Sequence, residues 1–160
     1  MLVPLALLAV SASMAVPPAA SPAAGEQPAA ASAEGRAELL GSAFEVASAI
    51  PAKDHGRERA RQQELVGVAF IDLGLVDRAR MIVPSIEGWR GAALLARVAL
   101  KDAEAGRADD ARSCAARVLE AGKSPSVTDW QREALSVWAA RIHAALGDDA
   151  LAAELEKGVG

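Results

Sequence analysis

The sequence predicts an all-α protein, a stack of antiparallel helical hairpins. Three observations predict it: an alanine-rich composition, self-similarity at a fixed offset, and apolar residues spaced for helices rather than strands. Hydrophobic residues make up 52% of the chain, aromatics only 3%, and tyrosine is absent. Much of the apolar content is therefore alanine, the strongest helix former and too small to build a sheet core. Roughly the first 35 residues look unable to fold, and the remaining ~125 suffice for one small domain with its own core.

At the N-terminus, Leu2 to Val10 form an uncharged apolar run, followed by the small residues Ser11, Ala12, Ser13 and Ala15. The pattern reads as an export signal over residues 1–15, cleaved after Ala15, although no Lys or Arg precedes the run. The expected location is thus periplasmic or secreted, the alternative being a cytoplasmic chain with a disordered tail. The run falls short of the ~20 apolar residues that a stable membrane span needs, and no cysteine follows it to carry a lipid. Residues 16–35 contain Pro17, Pro18, Pro22 and Pro28 and little that is large enough to bury. Such a stretch is a disordered, extended linker. The repeat domain is expected over residues 36–160.

Within that domain an offset of 32 residues aligns Gly56 with Gly88, Ala60 with Ala92, Val66 with Val98, Gly67 with Ala99, Gly74 with Gly106, Asp77 with Asp109 and Ala79 with Ala111. The register extends backwards, placing Ala47 before Ala79 and Ile50 before Ile82. A third copy follows at an offset of 41, with Trp89 on Trp130, Leu94 on Leu135, Ala99 on Ala140, Gly106 on Gly147 and Ala111 on Ala152. The added residues fall around Gly122 to Asp129, where the composition is that of a loop. Fixed-period self-similarity is the signature of stacked supersecondary units.

Each copy reads as two helices joined by a glycine turn. The first helix, 36–50, carries the apolar stripe Leu39, Leu40, Ala43, Phe44, Val46, Ala47 and Ile50. The polar stretch Lys53 to Gly56 reads as a loop before a helix at 57–73. Gly74 then ends that helix by taking a left-handed backbone, and a helix over 75–83 begins with Asp77 as its cap. The same grammar gives helices at 89–105 and 108–121, with turn Gly106 and cap Asp109. It also gives 128–146 and 148–157, with turn Gly147 and cap Asp148. Thr128 and Gln131 have the spacing of a capping box. Leu151 and Leu155 lie one turn apart on the last helix, an uncovered stripe suited to self-association.

Val66, Gly67, Phe70, Gly74 and Ala79 resemble the tetratricopeptide-repeat motif. Val98, Ala99, Gly106 and Ala111 repeat it with Asp102 at the usual aromatic position, and Ala139, Ala140, Gly147 and Ala152 repeat it with His143 there. The resemblance implies a right-handed α-α superhelix of about three and a half hairpins whose first helices line a groove for a peptide or protein. Carried over by distance from each turn glycine, the groove positions are Arg61, Glu64 and Val68, then Arg97, Leu100 and Glu104, then Val137, Trp138 and Arg141. The Lys and Asn clamp with which some members grip a C-terminal carboxylate is absent from this set.

Arg97, Trp138 and Arg141 are suited to an acidic or apolar peptide, against the plainer reading of solvated arginines and a packed indole. Trp89 and Trp130 begin equivalent helices and are expected to wedge against the preceding hairpin. Cys114 is the single cysteine and is expected as a buried thiol. His55 and His143 lack companions at metal-ligand spacing, and no nucleophile, base and orienting group are suggested, so no catalytic, cofactor or metal site is expected. The net charge of −4 argues against a nucleic-acid surface. The functional expectation is a non-catalytic exported scaffold or adaptor, with a purely structural stack as the alternative.

Overall fold

The computed structural model describes residues 32–158, and every regular element among them is helical. The helices are α1 (Ala33–Ser48), α2 (Ala52–Asp72), α3 (Val76–Ile82), α4 (Trp89–Glu104), α5 (Ala108–Gly122), α6 (Asp129–Ala145) and α7 (Asp149–Lys157). A 3-10 turn at Val83–Ser85 extends α3. The expected export signal and most of the linker lie outside the described residues. None of the described helices is long and apolar enough to cross a membrane.

Two boundaries differ from expectation for local reasons. Helix α1 starts at Ala33 instead of Arg36, because Ser32 Oγ accepts a hydrogen bond from the Gly35 amide at 3.1 Å and caps it. The supposed loop at Lys53 to Gly56 is a helical turn. It joins α2 through a break at His55, whose φ of −128° is not helical.

The three hairpin turns are built alike. Gly74, Gly106 and Gly147 have φ of 75°, 76° and 76°. At each, the residue after the glycine donates its amide to a carbonyl five residues back: Leu75 to Phe70, Arg107 to Asp102 and Asp148 to His143, all at 2.8 Å. This is the Schellman closure, and it delivers the chain directly into the next helix. It also corrects the caps. Leu75 and Arg107 occupy the cap positions of α3 and α5, while Asp77 and Asp109 lie inside the first turn, where they meet the positive helix end and pair with Arg80 and Arg112. Asp148 does occupy the cap position of α7 but makes no capping bond. The capping-box reading of α6 holds, with the Thr128 amide donating to Gln131 Oε1 at 2.9 Å.

Helices α2, α4 and α6 pack side by side, with α3, α5 and α7 folded back against them and α1 against α2. Helix α4 is central, touching α2, α3, α5 and α6. Leu94, Val98, Leu135 and Ile142 are fully buried at the heart of this arrangement. Small residues set the spacing: a Cβ added to Gly67 would lie 2.3 Å from Leu94 Cδ2, and the equivalent Ala99 and Ala140 are likewise buried.

Because the added methyl group would overlap the fully buried Leu94 side chain, Gly67→Ala is expected to cost about 1–3 kcal/mol in urea unfolding, the range for an overpacked core. The same change made in a Leu94→Val background is expected to cost less. Equal costs in the two backgrounds would mean that this contact does not set the spacing of α2 and α4.

Candidate functional site

The groove positions inferred from the sequence sort into those that meet one another and those engaged elsewhere. Arg97 on α4 and Arg141 on α6 both meet the Trp138 indole, with guanidinium carbons 4.8 and 4.6 Å from its ring centre. Each such contact contributes about 0.5–2 kcal/mol, depending on how far the cation is desolvated. The structure thus brings together three of the candidate residues. Glu64 is drawn away into an ion pair with Arg90, and Glu104 pairs with Lys101 within its own helix. Leu100 and Val68 are half-buried against the core. Arg61 is exposed on α2.

Near the N-terminal ends of the same three helices lies a feature the groove assignment missed. Trp89 and Trp130 meet edge to face with centroids 5.1 Å apart, and Trp130 stays 58% exposed. Trp130 thus rests on the preceding hairpin through Trp89, but it leaves much of its ring open. Together with Arg57 of α2, Gly88 before α4 and Thr128 before α6, they border a cleft of about 700 Å³. Arg90 also lies over the Trp89 ring at 4.9 Å. The signal was present in the sequence, because Trp89 and Trp130 coincide at the offset of 41.

The repeated C-terminal position of the first helices carries a second set of charges. Phe70 fills it in the first copy. In the second, Asp102 is fully buried, and its Oδ1 accepts bonds from Arg80 Nη2 at 2.6 Å and from Arg107 Nε at 3.0 Å. Its Oδ2 is buried without a hydrogen-bond partner. The bond to Asp102 raises the Arg80 guanidinium above its ordinary range. Burial, helped by the Asp102 charge, pushes the Cys114 thiol up, as suits an inert packed side chain.

In the third copy His143 is buried at this position, and its Nδ1 lies 3.3 Å from Asp148 Oδ2. Asp148 also accepts bonds from Arg112 Nε at 3.2 Å and Nη2 at 3.3 Å. Arg80 and Arg112 are 32 residues apart, so the same arginine of successive copies reaches forward to the turn of the next hairpin. The bond from Arg112, then that from His143, holds the Asp148 carboxyl below the usual carboxylate range.

Among the described residues no group of three or more His, Cys, Asp and Glu is placed to hold a metal ion. What the face offers chemically is aromatic surface, guanidinium donors and an open cleft. No known family model matches the chain, and comparison with curated proteins and with solved structures returned no match.

A carboxyl with a lowered folded-state pKa adds stability that is complete above the unfolded value of about 3.9 and fades as acid protonates it. Asp148→Asn is therefore expected to lower the melting temperature at pH 7, with the gap to the parent closing as the pH falls below about 4. A gap of constant size between pH 3 and 7 would show that the Arg112 and His143 contacts do not hold Asp148 ionised.

Proposed function

We propose that this chain is a non-catalytic, exported scaffold or adaptor of tetratricopeptide-like construction that holds a peptide or protein partner on the face formed by α2, α4 and α6. The observation that carries the reading is the Trp138 indole beside the guanidinium groups of Arg97 and Arg141, at positions that the tetratricopeptide resemblance assigns to the groove. Indole and guanidinium side chains dominate the binding energy of protein interfaces, because they combine buried apolar area with directional donors. The three hairpins with matching glycine turns, and first helices packed in sequence, supply the platform on which a superhelical groove would form.

A photo-reactive residue placed at Val68, at the half-buried edge of this face, is expected to crosslink a partner in the native host. The same residue at Glu120 on α5 is expected to stay silent. Equal capture from both positions would remove the groove from consideration. Export rests on the N-terminal sequence, and the expected mature protein starts after Ala15; a cellular protein beginning at Met1 would overturn it.

The alternative, an assembly subunit that stacks on its own kind, draws on the apolar side chains left open at the two ends of the array. Leu39 and Val46 are exposed on α1, and Leu151 on α7. If a chain ending at Gly147 had the same native mass as the full chain, self-association through α7 would be lost.

A further inference from the structure

The charges on the α2, α4 and α6 face do not balance. Glu64, Glu87 and Glu104 are already engaged within the protein, by Arg90, Arg59 and Lys101, while Glu58 of α2 and Glu133 of α6 have no ion pair among the described residues. Four arginines of the same face, Arg57, Arg61, Arg97 and Arg141, have no ion pair among the described residues. The whole chain is acidic, with a net charge of −4. A local positive excess on an acidic protein is a steering field for acidic partners, and it concentrates where guanidinium groups already sit over an aromatic ring. Arg97 also keeps a buried Nε without a hydrogen-bond partner.

The indoles of Trp89 and Trp130 lie at one end of the α4 and α6 seam, in a cleft that Arg57, Arg90 and Glu87 also line. The cleft bordered by Trp89 and Trp130 lies eight residues before Arg97 and Trp138 in the respective helices. At a rise of 1.5 Å per residue this is about 12 Å. An extended peptide covers that distance in about four residues, at ~3.3 Å each.

We infer that the partner of this face is an extended acidic segment with one large apolar side chain. The apolar side chain enters the cleft against Trp130 and Trp89, and carboxylates about four residues away meet Arg97 and Arg141. Arg57, at the edge of the cleft, and Arg61, one turn further along α2, meet additional carboxylates. The inference rests on the reading of this face as a peptide-binding surface and adds to it the chemistry and spacing of the ligand.

The test is selection of random 12-residue displayed peptides on the full chain, followed by anisotropy titration of the enriched sequences in low and high salt. Enriched sequences are expected to pair Leu, Phe or Trp with Asp or Glu about four residues away and to bind more weakly as salt rises. Arg97→Gln combined with Arg141→Gln, and separately Trp130→Ala, are each expected to weaken binding by about tenfold or more, whereas Arg117→Gln on α5 leaves it unchanged. Arg57→Gln and Arg61→Gln alter exposed side chains only, so they report on the same charges if the double variant fails to fold, and each is expected to weaken binding several-fold. Enrichment of neutral or basic peptides would overturn the acidic class while leaving a peptide-binding face. Failure of any peptide to enrich would overturn both. Competition by a single-stranded RNA oligonucleotide, lost in the same arginine variants, would assign the face to phosphates and overturn the inference.

Discussion

The structure depends on the burial of α4. A helix that touches α2, α3, α5 and α6 has almost no side left for solvent, and ten of its residues from Gly91 to Ala103 are buried. Large side chains on every face would hold the neighbours too far apart for close packing. The chain resolves this with alanine at most contact positions and with Leu94 and Val98 filling the space between layers. Close backbone approach then becomes the source of specificity, and this is why Gly67 has no room for a methyl group beside Leu94.

The turns convert that packing into a repeat. Each Schellman closure fixes the carbonyl of the same residue, Phe70, Asp102 or His143, and so fixes where the side chain of that residue points. The first copy fills the place with an apolar ring. The next two fill it with ionisable groups, and each is reached from the preceding hairpin, Asp102 by Arg80 directly and His143 through Asp148 and Arg112. Between the second and third copies the acidic partner moves across the turn, from the buried position to the capping position, while the arginine stays in register. A buried carboxylate is tolerable only when such partners compensate its lost hydration, so these contacts tie consecutive hairpins together in one orientation.

The open face follows from the same geometry. Because α4 gives its other sides to packing, its long polar side chains emerge along one stripe that faces the flanks of α2 and α6. Arg90 and Arg97 are seven residues apart, two helical turns, and they turn to different neighbours. One meets Glu64 of α2, and the other lies over Trp138 of α6. Glu64, Glu87 and Glu104 are consumed by such pairings, while Arg57, Arg61, Arg97 and Arg141 have no ion pair among the described residues. The result is a cationic, aromatic surface on an acidic protein.

The helices, their order, the glycine turns, the capping box of α6 and the copy-to-copy register are all legible in the sequence. Each depends on interactions within about five residues of the chain, or on residue types recurring at a fixed distance. Arg97, Trp138 and Arg141, three of the groove positions taken from the family resemblance, are brought together by the structure. What only the tertiary structure decided is which of those side chains meet: the indole of Trp138 with two guanidinium groups, the Trp89 and Trp130 pair at the cleft, the loss of Glu64 to Arg90, and the burial of Asp102 between arginines of two hairpins. These contacts join side chains 3 to 41 residues apart. Even where the separation is short, as between Asp102 and Arg107, the partner is chosen by how closely the helices approach, which a linear pattern of residue types does not encode.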